Sequence, residues 1–143
     1  KCVIIYGETG ATDKLTIRLK GQLCENSKML AFVNEIPEMN HNEIVGWENN
    51  PDLFTHLVVL WLVDFNGHIR NLERVKITQS ILDKLPVEQY TVHLKGKSFI
   101  DRIFHSIHYV DWLSYWCAFL HQTDPTPVDK INFLKKILES KNQ

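Results

Sequence analysis

The sequence predicts an α/β fold, a three-layer α-β-α sandwich on a mostly parallel sheet. Three observations carry that expectation. Short strand-like runs recur at residues 2–6, 30–33, 57–63 and 89–94, the first three of them apolar. Between them lie segments in which apolar residues repeat at helical spacing. The two kinds alternate as β-α-β-α-β-α-β-α-α, the order that puts parallel strands in one layer and helices on both faces.

Each element has its own warrant. C-V-I-I-Y at residues 2–6 is apolar and β-branched, ends at Gly7, and reads as a buried parallel strand. Residues 11–29 follow with Leu15, Leu19 and Leu23 four apart, beside a polar stripe of Lys14, Arg18, Gln22 and Glu25. L-A-F-V at 30–33 is the second strand, ended by Ile36-Pro37. Asn40-His41-Asn42-Glu43 has the form of a capping box, so a short helix is expected to begin near His41. L-V-V-L-W-L-V at 57–63 is the most apolar run and is expected at the centre of the sheet. A helix over 69–85, a strand over 89–94 and a long helix over 97–121 follow. The second half of that long helix, Y-V-D-W-L-S-Y-W-C-A-F-L, is apolar nearly all round, which predicts burial on more than one side, by the sheet and by another domain or subunit. Thr126-Pro127-Val128-Asp129 starts the last helix, with a hydroxyl cap, proline at the first position and an acid at the third.

Composition narrows the function. The 143 residues are 44% apolar and 23% charged, with a formal net charge of −1, which gives no general attraction to nucleic acid or to an anionic membrane. The most apolar stretch is far too short to span a bilayer. Cys2, Cys24 and Cys117 are odd in number and lack C-x-x-C spacing, so neither a disulfide framework nor structural zinc is expected, and a reducing cytoplasm is. The chain opens on Lys1 and enters a strand at once, as a domain of a longer polypeptide would.

The densest polar stretch runs from Arg18 to Trp47 and sets Glu25 and His41 sixteen residues apart. A carboxylate and an imidazole held among amides and cations suit proton transfer. Glu25 shares a stripe with Arg18 and Gln22 and is followed by Asn26 and Lys28; its plainer role is a solvated charge at a helix end. His41 sits where a helix begins, and the positive helix end favours a neutral imidazole; its plainer role is a polar residue in a first helical turn. Glu38 or Glu43 is available to orient the ring. Lys135 and Lys136 read as exposed lysines on an amphipathic helix. His105 and His108 lie three apart without an acid or cysteine partner, so no metal is expected. Trp112, Tyr115, Trp116 and Phe119 read as packing, within the core or between subunits. Cys24 lies mid-helix beside an acid, where a thiolate is disfavoured.

Four blocks then fall in register with one family. R-L-K-G-Q-L-C-E-N-S-K, P-E-M-N-H-N-E-I-V-G-W, D-W-L-S-Y-W-C-A and D-P-T-P-V-x-x-I-x-x-L-K resemble, in order, the C-terminal half of the bifunctional phosphoglucose/phosphomannose isomerases of bacteria and archaea, members of the sugar isomerase (SIS) superfamily. The resemblance covers nearly the whole chain. It implies a flavodoxin-like SIS domain with about five parallel strands, paired with an N-terminal SIS domain in a homodimer. It implies that Glu25 moves the proton between C1 and C2 through a cis-enediol(ate). His41 would assist ring opening, reaching the other subunit's active site, and Lys135 would act at the ring oxygen. Arg18, Gln22 and Asn26 are the candidate substrate contacts. No metal or organic cofactor is implied. The phosphate-gripping Ser/Thr-rich loop and an enediolate-stabilising Arg belong to the family's N-terminal half, so little or no activity is expected of residues 1–143 alone. Cys24 stands where the family usually has Asn. Two other readings remain: a non-catalytic SIS module that binds a sugar phosphate, and a dimerisation domain.

Overall fold

The computed structural model describes residues 1–141. Its strands are β1 (Cys2–Glu8), β2 (Ala31–Ile36), β3 (Leu57–Val63) and β4 (Glu88–His93). They form one parallel sheet in the order β2-β1-β3-β4. The sheet thus has four strands where the resemblance implied about five; the layered α/β architecture is as the alternation predicted. The helices are α1 (Asp13–Glu25), α2 (Glu43–Gly46), α3 (Pro51–Phe54), α4 (Ile69–Leu82), α5 (Phe99–Leu120) and α6 (Asp129–Ser140), with a 3-10 turn at Glu38–Asn40.

The apolar runs are explained by burial on both faces. Val3 and Ile5 of β1 and Leu60 and Leu62 of β3 join Leu15, Leu19 and Leu23 of α1 and Val110 of α5 in one cluster. The alternate residues, Tyr6 of β1 with Val59, Trp61 and Val63 of β3, join Met39, Trp47, Phe54, Val75 and Leu82 on the other face. Strand periodicity therefore supplies both cores at once. At the end of β1 the helix approaches closely: a Cβ on Gly7 would stand 2.6 Å from the Thr16 methyl. The Thr12 hydroxyl accepts from the Glu8 amide at 2.7 Å and donates to the Leu62 carbonyl at 2.9 Å, stitching the β1–α1 loop to β3.

Two local expectations change. Asn42, not Asn40, caps α2, its side chain accepting from the Glu43 amide. Asn40 instead donates to the Thr78 hydroxyl of α4 at 2.9 Å, a tertiary partner that the local pattern does not reveal. The last helix begins at Asp129 after Val128 without a side-chain cap, and the Thr126 amide donates instead to Asp124 in the preceding turn. Within this domain α5 is buried on one face, which leaves the other for the second domain or subunit that the sequence reading invokes. Its buried face carries Arg102, Ser106, Val110, Ser114 and Ala118, spaced four apart, while Trp112, Tyr115, Trp116 and Phe119 are 44–63% exposed and stack on one another along its outer face. A buried stripe this small lets α5 lie close on α1.

Arg102 also reaches the carboxyl end of β3, donating to the buried carboxylate of Asp64 at 3.0 Å. The three cysteines are free. Among the described residues no helix is long and apolar enough to cross a membrane.

Leu19 is fully buried between α1 and the sheet. Leu19→Ala is predicted to cost about 3 kcal/mol, read as a lowered midpoint in urea unfolding.

Candidate active site

Glu25 is the last residue of α1, and α1 runs opposite to the strands, so its carboxylate lies at the amino edge of the sheet. There it lines a cleft of about 550 Å³ with Cys24, Lys28, Met29 and the start of α6 from Pro127 to Ile131. The side chain is exposed. Lys28, at φ 56°, turns the chain into β2. Its ammonium donates to the Glu25 carbonyl, and to the Pro125 carbonyl at 3.3 Å. One lysine therefore caps the helix end that carries Glu25 and ties it to the α5–α6 loop, leaving the carboxylate free beside cationic Lys28 and Lys130.

Arg18, Gln22 and Asn26 lie on the same helix but face α5. Arg18 forks onto Asp111, Nε to Oδ1 at 2.9 Å and Nη2 to Oδ2 at 2.7 Å. Gln22 donates to Asp111 at 2.9 Å, and Asn26 donates to the Ser114 hydroxyl at 2.9 Å. The Arg18 guanidinium holds the Asp111 carboxyl below the usual carboxylate range, against a smaller opposing effect of burial. In sequence the stripe reads as substrate contacts around the acid; the structure commits its polar groups to a helix–helix seam that fixes the end of α1.

His41 lies beyond the carboxyl end of β2, at the opposite edge of the sheet from Glu25. A six-residue strand separates the two positions, a span of roughly 20 Å, so one copy of this domain does not bring them together. The turn around His41 is pinned almost everywhere else. Its own amide donates to the Glu38 carbonyl at 2.9 Å. Asn40 is bonded to α4, Asn42 donates to Glu38 at 3.0 Å, and Glu43 accepts from Tyr6 and Asn34. Met39 and Trp47 are buried. The imidazole is exposed and takes no part in these bonds. Neither Glu38 nor Glu43 orients the ring directly: each has another partner. That second carboxylate cluster, Glu43 with Tyr6 and Asn34, is not visible as a unit in the sequence, because its members lie on three different elements.

Lys135 is exposed on α6, beyond the first turn that lines the cleft. It lies four residues past Ile131, the last cleft-lining residue of the helix, and is not among the lining residues. Among the described residues no group of three or more His, Cys, Asp or Glu is placed to hold a metal. The small hydroxyl loop after β1 is consumed internally, Thr12 as above and Thr9 through a 2.7 Å bond to Glu35.

A family model described as the bacterial phospho-glucose isomerase C-terminal SIS domain matches residues 1–138. The chain belongs to this family. It is 40% identical over 143 residues to a bifunctional phosphoglucose/phosphomannose isomerase of Caldicellulosiruptor bescii, a match that covers 99% of this chain and 42% of that protein. To proteins of the same description it is 38% identical in Aquifex aeolicus, over 95% of this chain and 42% of the relative, and 31% in Thermoplasma acidophilum, over 93% and 41%. The SIS domain thus spans less than half the length of these relatives. Among solved structures the fold is similar to a glucose-6-phosphate isomerase like protein from Thermus thermophilus, with TM-score 0.69 and 16% identity over 87% of this chain and 41% of that one. It is also similar to the C-terminal domain of glucosamine-fructose-6-phosphate aminotransferase from Francisella tularensis, with TM-score 0.60 and 16% identity over 86% and 36%.

In this SIS domain the seam that fixes Glu25 carries a pH signature. The folded pKa of Asp111 is depressed, so its contribution is complete above the unfolded value of about 3.9 and is lost as pH falls through the folded value. Asp111→Asn is predicted to lower stability at neutral pH by under about 1 kcal/mol, because the pair is partly exposed. The gap between variant and wild type closes on acidification below about pH 4, as followed by urea unfolding at several pH values.

Proposed function

We propose that this SIS domain is the C-terminal half of a two-SIS-domain isomerase. The enzyme interconverts glucose 6-phosphate, and mannose 6-phosphate, with fructose 6-phosphate. Glu25 takes the proton from the carbon next to the carbonyl, leaving a cis-enediol(ate), and returns it to the neighbouring carbon. The carbon-bound proton passes from C2 to C1 and a hydroxyl proton from O2 to O1, so the overall oxidation level of the sugar is unchanged and the step asks for no redox cofactor. His41 serves ring opening and closing at a partner subunit's site, and Lys135 acts at the ring oxygen. Arg18, Gln22 and Asn26 serve the substrate by fixing the helix end beneath the base. The three free cysteines suit a cytoplasmic enzyme.

One observation carries the reading. Glu25 stands at the lip of a cleft and His41 on a pinned turn, both exposed and at opposite edges of the sheet. Two proton-transfer groups in that arrangement suit a site completed by another domain and a second copy. The relatives' names and the 38–40% identity of two of them support the choice of reaction.

A second reading has its own support. The exposed aromatic face of α5 suits self-association, and a domain used only for that would need no base. In the full-length protein, Glu25→Gln is predicted to lower isomerisation of glucose 6-phosphate by about a thousandfold or more, and to abolish exchange of the C2 hydrogen with deuterated water, while sugar-phosphate affinity stays near that of wild type. Full turnover in the variant would sink the assignment. Binding without turnover in the wild type would favour a sensing module. Trp116→Ala is predicted to weaken self-association, seen as a shift toward monomer in sedimentation velocity.

A further inference from the structure

The segment that carries His41 also holds a carboxylate to which the chemistry above gives no task. Glu43 heads α2, two residues beyond the imidazole. Its two oxygens each take a donor from a different strand: the Tyr6 hydroxyl of β1 bonds Oε1, and the Asn34 amide of β2 bonds Oε2 at 2.6 Å. Trp47, at the end of the same segment, donates its indole N–H to the Tyr6 oxygen at 3.2 Å. Tyr6 and Trp47 are 1% and 6% exposed. Burial, and then the neighbouring Glu43, push the Tyr6 hydroxyl far above its ordinary pKa, so it keeps its proton and remains a donor. The carboxylate is thus bonded at both oxygens, and the bonds run from the carboxyl-terminal half of the strands to the turn above them.

Among the described residues nothing hydrogen-bonds the imidazole itself, so the hydrogen bonds that fix it act through its backbone. Glu43 is the side chain that ties this segment by hydrogen bonds to two strands. Asn42 bonds only within the turn, to Glu38 and Glu43, and Asn40 anchors it to α4 by a single neutral bond.

We propose that Glu43 is a positioning residue for His41: through Tyr6 and Asn34 it clamps the 38–43 turn to β1 and β2, so that the imidazole is presented to a neighbouring active site in one orientation. This rests on the reading of His41 as an acid/base group. Glu43 does not touch substrate. A group that acts across an interface has no local bond to correct its aim, and a displacement near 1 Å can cost on the order of a hundredfold in rate.

The test uses the full-length protein. Glu43→Gln keeps the side-chain length and one acceptor oxygen but cannot serve both donors. It is expected to lower kcat by about tenfold or more with KM within about twofold. In a His41→Asn background the same change is expected to add nothing, because its effect passes through the ring. An equal loss in both backgrounds, or an unchanged kcat in the wild-type background, overturns the proposal in favour of a purely structural role. Tyr6→Phe deletes one atom from the other side of the clamp and is read by the same criteria if Glu43→Gln does not fold. A second measurement needs no turnover: carbon relaxation of the His41 ring reports an ordered imidazole in the wild type and a mobile one in the variant. Equal ring order in the two overturns the clamp. A wild type without isomerase activity defeats the functional reading while the ring measurement still decides this one.

Discussion

The parallel pairing of β1 with both of its neighbours is the constraint from which the rest of the domain follows. A parallel connection has to carry the chain back to the amino edge before the next strand can start. Here α1 makes that return, so its last residue, Glu25, arrives at the amino edge, while the turn after β2, with His41, lies at the carboxyl edge. No rotamer change closes the length of a strand. If the two groups serve one reaction, the protein has to bring a second surface to each, and this follows from strand direction alone.

The polar residues of the domain divide accordingly. A half-buried polar group without a partner is costly, so partners are found wherever elements meet. Arg18, Gln22 and Asn26 meet Asp111 and Ser114; Asn40 meets Thr78; Glu43 meets Tyr6 and Asn34. Gly67 belongs to the same logic: a Cβ there would collide with the Glu8 carboxylate, which instead accepts from the His68 amide and Asn71. Against that background Glu25 and His41 stand out. Their neighbours in sequence are held, while among the described residues their carboxylate and imidazole have no hydrogen-bond partner. A rigid support beneath an unengaged titratable group is what proton transfer asks of a scaffold.

The fold was legible in the sequence because burial on both sheet faces leaves an unbroken apolar run, as in Leu57–Val63, and because Leu15, Leu19 and Leu23 mark one helix face at a four-residue spacing. What was not legible depends on long-range partners. Asn40 and Asn42 are equally good caps locally; contact with Thr78 decides between them. The apolar second half of α5 reads as buried on more than one side; which residues the domain itself covers, the small ones, and which it leaves outside, the aromatics, is set by the tertiary packing. At the candidate site, the E-N-S-K and N-H-N-E blocks single out residues without giving their bonds. Lys28's reach to Pro125, and the use of Glu43 as an anchor in place of a direct partner for the imidazole, come only with the three-dimensional arrangement.

α6 extends the argument to the third residue. It buries no side chain among the described residues, and Ile131, Leu134, Ile137 and Leu138 leave 38–58% of their surface in water. A twelve-residue helix on its own is marginal in water. Its amphipathic face gains most from a covering surface, and in the two-domain reading the N-terminal SIS half supplies it. The first turn of α6 is also one wall of the cleft at Glu25, and Lys135 lies on the same rigid rod. Docking that stabilises the helix would therefore set the lysine and narrow the cleft around the base in one step. Assembly and chemistry would then be linked through α6, as they would be at the other edge of the sheet through the turn that carries His41.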